Sequence, residues 1–128
     1  MTRTLTISLP WTLLCSENRR YVSQFNKALS PEYRAAKYGA ALVATAAAKK
    51  AKWVVPTGPL RMDVTFTEPD HRKRDYKNFS KALCDSLTAS GHVWIDDSQI
   101  RCGYEESVKV SKDHAGAVIV ITTLKGEG

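Results

Sequence analysis

Apolar and polar residues alternate in two separate segments of the chain. In residues 4–9, leucine and isoleucine alternate with threonine and serine, and in residues 60–67, larger apolar residues alternate with arginine, aspartate and threonine. A period of two is typical of a strand that buries one face. The β-branched run 117–121 predicts an interior strand covered on both faces. Weaker alternation over 102–110 predicts one further strand, which a hairpin loop would join to the strand at 117–121.

Two segments between the strands have the end signals of helices. Ser30, Pro31 and Glu32 provide a capping hydroxyl, a proline suited to the first turn and an acidic group near the positive dipole end. The alanine-rich run that follows favours a helix. Residues 76–90 carry apolar side chains on one face, and Gly91 is a natural stop. The order β-α-β-α-β-β predicts an α/β (α+β) fold, with helices packed on one mixed sheet.

Length and composition set the class of protein. The 128 residues suffice for one domain, spanning 1–128, with a sizeable core. A net charge of +6 favours an acidic partner such as nucleic acid. No segment approaches the ~18 apolar residues of a membrane span, and the N-terminus lacks signal-peptide features. The three cysteines match no zinc-ligand spacing, so we expect buried free thiols and a cytoplasmic location.

Most of the chemically active side chains lie between Glu68 and Gln99. Carboxylate oxygens bind hard cations, and arginine and lysine bind phosphates. Their combination suggests metal-assisted chemistry on a polyanion, with nucleic acid the obvious candidate. The carboxylates are Asp70, Asp75, Asp96 and Asp97, and the cations are Arg72, Lys73, Arg74, Lys77 and Lys81.

Each part of this charged stretch also has a purely structural interpretation. Asp75 stands where an N-cap of the second helix is expected, and Asp96 with Gln99 resembles a capping box, which leaves Asp97 in the first turn. Lysines on a helix are usually only solvated. The basic run 71–74 is harder to explain in this way, because like charges repel and need a counter-charge. An extended return of ~20 Å would let Asp97 approach the start of the helix, in its own subunit or in a partner.

The sequence resembles the RusA family of phage and prophage Holliday junction resolvases over most of its length. ISLPW is followed by an Asn-Arg-Arg-Tyr stretch, and the similarity is sharpest in PDHRKRDYKNFSKALCDSLTASGHVWIDDSQI. The family pattern there is proline-aspartate, a basic run, Arg-Asp-x-Asp-Asn, a lysine, Asp-x-Leu and a hydrophobic segment ending in Asp-Asp-x-Gln-(Val/Ile). The resemblance implies a homodimer that cuts four-way DNA junctions symmetrically, with magnesium or manganese as cofactor, in a bacterial host cytoplasm.

The resemblance also implies roles for individual residues. Asp75, Asp97 and, less firmly, Asp96 would bind the metal and act in catalysis. Lys81 matches the family lysine, which could orient or neutralise the scissile phosphate. The residues matched to DNA contact, or able to extend that basic surface, are Arg72, Lys73, Arg74, Asn78, Arg19 and Arg20; solvated loop charges are the alternative for the last two.

One position within the catalytic motif departs from the family pattern. Two residues after Asp75 the family expects aspartate, and this chain has Lys77. A lysine cannot ligate a hard cation, and its ammonium could replace the metal's charge and repel magnesium. We therefore expect an engineered or naturally weakened enzyme that binds junctions tightly and cleaves them little or not at all. The alternatives are a non-catalytic nucleic-acid-binding protein and a structural phage protein with a generic basic face.

Overall fold

The computed structural model describes residues 2–15, 28–74 and 76–124. Within α2, defined below, the side chains of Lys77 and Asn78 are also excluded from the description. The predicted site residues Asp75, Arg19 and Arg20 therefore lie outside the described residues.

The described chain forms a five-stranded mixed sheet with two helices packed on one face. The elements are β1 (Thr4–Pro10), α1 (Pro31–Lys50), β2 (Leu60–Glu68), α2 (Tyr76–Ser90), β3 (Ile100–Cys102), β4 (Glu105–Val110) and β5 (Gly116–Thr123), with short 3-10 turns at Trp11–Leu13 and Asp97–Gln99. The order is β1-β5-β2, and β3 and β4 follow one another along the free edge of β2. Within the described chain, neither helix combines the length and apolar character needed to cross a membrane.

The core lies between the helices and a single face of the sheet. Alternate residues of β1, β2 and β5 point into it, so the predicted period of two is confirmed for the first two strands. Ser30 caps α1 by accepting a hydrogen bond from the Tyr33 amide at 3.1 Å, as predicted. The four alanines that α1 buries, Ala36, Ala40, Ala44 and Ala48, allow its backbone to approach the sheet closely.

The predicted strand 102–110 is divided into β3 and β4 at Gly103. The backbone of Gly103 has φ +148, and a Cβ there would lie 1.7 Å from the carbonyl oxygen of Met62 in β2. Both short strands pair in parallel with β2, with the break between them. This close approach between two backbones is a tertiary contact, so the alternation of side chains in the sequence gave no sign of it.

Three further expectations are wrong in part. The segment between β4 and β5 is not a hairpin loop, because β2 lies between these two strands. β5 is an interior strand, but only one of its faces is covered, and Val118 on the other is 41% exposed. The cysteines are free, as expected, yet Cys102 is exposed because it lies on a strand at the edge of the sheet.

Gly103→Ala should destabilise the fold strongly. The added methyl group must displace the Met62 carbonyl, and the backbone conformation itself disfavours a side chain, so we expect a loss of about 3 kcal/mol in the free energy of unfolding. Gly91→Ala is the matched control, because Gly91 also has positive φ (+72) but open space around it, and should cost about 1 kcal/mol. Urea denaturation measures both, and equal losses would contradict the proposed steric origin.

Candidate active site and nucleic-acid interface

Arg74 closes the charged loop that joins β2 to α2. Its guanidinium forms salt bridges with Glu68 (3.2 Å) and Asp70 (2.8 Å) and donates to the backbone carbonyls of Asp70 (3.4 Å) and Arg72 (3.1 Å). The guanidinium carbon also lies 5.0 Å from the centre of the Trp11 ring. With 11% of its side chain exposed, Arg74 has most of its hydrogen-bonding capacity engaged within the protein. The structure thus places this predicted DNA contact inside the loop.

Glu68 is the buried carboxylate on which this loop is organised. Besides Arg74, it accepts a hydrogen bond of 2.8 Å from the Ser107 hydroxyl on β4. Burial alone would raise the pKa of Glu68, but hydrogen bonds from Ser107, Tyr76 and Arg74 outweigh that effect and hold the pKa below its ordinary value. Glu68 is therefore ionised at neutral pH and joins β2, β4 and the loop.

Aromatic packing fixes the beginning of α2 to the sheet. The Tyr76 ring stacks on Phe66 of β2, with 5.0 Å between the ring centres. Phe79, in the same turn of α2, contacts both Phe66 (6.2 Å) and Trp11 (5.5 Å). The helix end that follows Asp75 in the sequence is therefore held rigidly, which favours a precise site.

Exposed cations accompany this anchored helix end. Arg72 and Lys73 are exposed in the loop, and Lys81 is exposed on α2. The loop itself is ordered by the Arg72 amide, which donates to the Asp70 carboxylate at 2.9 Å. That bond is the main cause of the lowered pKa of Asp70, and Arg74 adds to it. These three cations are accessible to phosphate groups, unlike Arg74.

The second acidic segment is a capped turn. The Asp96 carboxylate accepts from the Ser98 amide at 3.2 Å, and Gln99 accepts from the Asp96 amide at 3.0 Å, which confirms the predicted capping box. Hydrogen bonds from the Ser98 hydroxyl and amide lower the pKa of Asp96. A carboxylate occupied in this way has less capacity left for a metal than Asp97, which is exposed at the first position of the turn.

The turn Asp97–Gln99 packs against α2, the helix that carries Lys81. Burial raises the pKa of the Cys84 thiol on this helix to about 12, and the negative charges of Asp97, Asp85 and Glu105 add to that effect. Lys81 precedes Cys84 by three residues, so the two positions are neighbours on the helix surface. The fold therefore places the turn that begins with Asp97 against the helix that carries Lys81, 16 positions earlier in the sequence.

The set of metal ligands is incomplete within the described residues. There, no group of three or more histidine, cysteine, aspartate or glutamate side chains is placed to hold a metal ion. Asp97 has the right donor chemistry for magnesium or manganese, but Asp96 is engaged in capping and the position two after Asp75 is a lysine. The described side chains alone therefore do not complete a site for such an ion, and Asp75 lies outside them.

Two carboxylates near the site were missed by the sequence analysis. Glu105 is the first residue of β4, and its negative charge contributes to the raised pKa of Cys84 on α2. Nothing in the sequence predicts that residue 105 lies near that helix. The burial of Glu68, in contrast, could have been predicted from the sequence. It continues the alternation of Leu60 to Phe66 onto the buried face of β2, and a buried carboxylate requires a partner, which is Arg74.

The fold and the site define a small basic α+β domain in which exposed cations and exposed carboxylates lie around α2. This arrangement suits a polyanionic ligand. The family model described as Endodeoxyribonuclease RusA matches residues 10–122. The chain belongs to this family, as its motifs predicted.

Several named relatives support this assignment over a shorter stretch. Proteins called Crossover junction endodeoxyribonuclease RusA from Escherichia coli strain K12, Shigella sonnei strain Ss046 and Enterobacteria phage 82 are each 40% identical to this chain over 42 residues. The matched stretch covers 33% of this chain and 34% of each relative. The chain thus spans about a third of the length of these relatives.

Proposed function

We propose that this chain is a structure-selective endodeoxyribonuclease that recognises four-way DNA junctions and whose hydrolytic step is weakened by Lys77. The observation that carries the proposal is the packing of the Asp97–Gln99 turn against α2, the helix that presents Lys81, in a chain of the RusA family. The names of the relatives supply the crossover-junction substrate. Cleavage of paired strands in recombination or repair is the activity that this substrate suggests.

Binding rests on phosphate contacts and on the shape of the junction. Arg72 and Lys73 project from a loop that Arg74 holds in place, so they meet the backbone phosphates with little loss of conformational freedom. Such contacts are independent of base sequence and weaken as salt concentration rises. A homodimer would present two such loops, which suits the two-fold symmetry of a four-way junction.

For the chemical step, the residues of the chain supply charge and position. The Lys81 ammonium would neutralise the scissile phosphate and stabilise the charge that develops on it. Asp75 and Asp97 would hold a magnesium or manganese ion, which when bound would supply Lewis-acid activation of water. Lys77 adds a positive charge where the family has a ligand, so binding of that ion is disfavoured and cleavage by the unaltered chain should be slow.

The second candidate is a junction-binding protein without catalysis. It is favoured by Lys77 and by the absence of a three-ligand group among the described side chains. A nicking assay on a synthetic four-way junction, with and without manganese, separates the two candidates. Equal affinity for a junction and for linear duplex in competition would instead favour a structural protein with a generic basic face.

Removing the loop cations should weaken junction binding and its salt dependence. For Arg72→Gln combined with Lys73→Gln, we expect an affinity about 10- to 100-fold lower, and a slope of log K against log salt smaller by about two. Lys49→Gln with Lys50→Gln is the charge-matched control, because these lysines are exposed at the end of α1. Electrophoretic mobility shifts at several salt concentrations measure both. Equal losses in the two double variants would contradict a specific role for the loop.

A further inference from the structure

We propose that Gln99 is a positioning residue for Asp97, and that its side-chain amide fixes the acidic turn to the edge of the sheet. The inference rests on the proposed function, because it assigns Gln99 a role in the site that Asp97 would serve. It adds a residue that contacts neither substrate nor metal and acts through the orientation of its neighbour.

The Gln99 amide makes four hydrogen bonds to backbone groups. Its Oε1 accepts from the amides of Ile95 (2.8 Å) and Asp96 (3.0 Å), and its Nε2 donates to the carbonyls of Pro56 (2.9 Å) and Gly58 (2.9 Å). A carboxamide has two N–H donors and an oxygen with two lone pairs. The full capacity of the side chain is therefore used, and no other residue type offers the same combination in this shape.

These hydrogen bonds connect the short turn Asp97–Gln99 to the well-packed segment before β2. The turn Asp97–Gln99 is a 3-10 helix of three residues, which has little stability of its own. The carbonyls of Pro56 and Gly58 belong to the segment that leads into β2, where Leu60 is fully buried. Leu60 also pairs with Ile100, directly after the turn. Gln99 thus fixes the turn from both sides, and with it the backbone from which the exposed Asp97 side chain projects.

The role is tested in the Lys77→Asp background, in which cleavage is expected. Gln99→Met has a similar shape and removes all four bonds. It should lower the single-turnover cleavage rate at saturating junction about 10- to 100-fold, because small misplacements of a catalytic group have effects of this size. Junction affinity should change by less than about twofold, since phosphate contacts dominate binding. Thr57→Ala is the control, because it alters an exposed side chain between the two acceptor carbonyls and should leave cleavage unchanged.

Gln99→Glu tests whether the bonds to the segment before β2 are needed. It keeps the acceptors for Ile95 and Asp96 but places an oxygen against the Pro56 and Gly58 carbonyls. It should therefore lower the single-turnover cleavage rate at least as much as Gln99→Met, and a rate equal to that of the parent would contradict the role of these two bonds.

The amides of Ile95 and Asp96 provide a readout that does not depend on activity. In the otherwise unaltered chain, Gln99→Met should accelerate their hydrogen exchange while the amides of β5 stay protected. Faster exchange with unchanged cleavage in the Lys77→Asp background would overturn the role of Gln99 and leave the proposed function intact. If the Lys77→Asp parent itself fails to cleave, the proposed function falls, and the catalytic relevance of Gln99 falls with it.

Discussion

Lys77→Asp is expected to give a protein that nicks four-way junctions at least about 100-fold faster than the unaltered chain when magnesium or manganese is present, which corresponds to ~2.7 kcal/mol of transition-state stabilisation. Position 77 lies in the first turn of α2, and Lys81 follows one turn later. The substitution removes one positive charge from the motif and supplies the carboxylate that the family motif has there. Both changes favour a divalent cation.

Two variants divide this effect into its parts. Lys77→Ala removes the positive charge without adding a ligand, so it should raise cleavage far less than Lys77→Asp. Lys50→Asp makes the same charge change on the exposed end of α1 and should leave cleavage at its starting level. In the Lys77→Asp background, Asp97→Asn should then abolish nicking while junction binding persists.

Calorimetry with manganese alone provides a readout separate from turnover. The unaltered chain should show weak or undetectable binding, and Lys77→Asp should show a saturable site. If Lys77→Asp binds junctions normally but neither binds manganese nor nicks, the position is not part of a metal site. The non-catalytic alternative would then be the better description of this chain.

The architecture follows closely from local patterns, and the order of strands does not. The predicted helix from Tyr76 to Ser90 has those bounds in the structure, because an apolar face and a terminal glycine are local signals. The division at Gly103 depends on contact with Met62, and the order of the strands depends on which edges meet in space. Both are properties of the folded chain that no window of sequence contains.

For the site, the sequence identified the charged residues but not the environment of each one. Arg72, Lys73 and Arg74 are consecutive and all positively charged. Among the residues that the structure describes, however, only Arg74 of the three forms side-chain ion pairs, with the buried Glu68 and with Asp70. The difference follows from Glu68, which occupies the buried face at the end of β2. A run of like charges therefore predicts that a basic surface is present. The alternation of β2, which places Glu68 on the buried face, decides that Arg74 is bound within the protein and is not part of that surface.

Arg74→Leu should destabilise the fold by about 3 kcal/mol, because removing one partner of a buried ion pair leaves the other charge uncompensated. Glu68 would keep the Ser107 hydrogen bond but lose the cation beside it. Arg74→Lys preserves the charge without the fork that reaches both Glu68 and Asp70, so we expect a smaller loss of about 1 kcal/mol. Urea denaturation measures both, and Arg72→Leu, at an exposed position of the same loop, is the control.

The pH dependence of this loss identifies its cause. In the folded protein the pKa of Glu68 is lowered, so its ionised form stabilises the fold at neutral pH, and that contribution disappears as the pH falls through the acidic range. Without Arg74, protonated Glu68 becomes the better-tolerated form, and the stability gap between Arg74→Leu and the parent should narrow on acidification. A gap that stays constant would point to lost packing against Trp11 instead. If stability is unchanged and only junction affinity falls, Arg74 is a DNA contact, as its position in the basic run first suggested, and the loop does not depend on it.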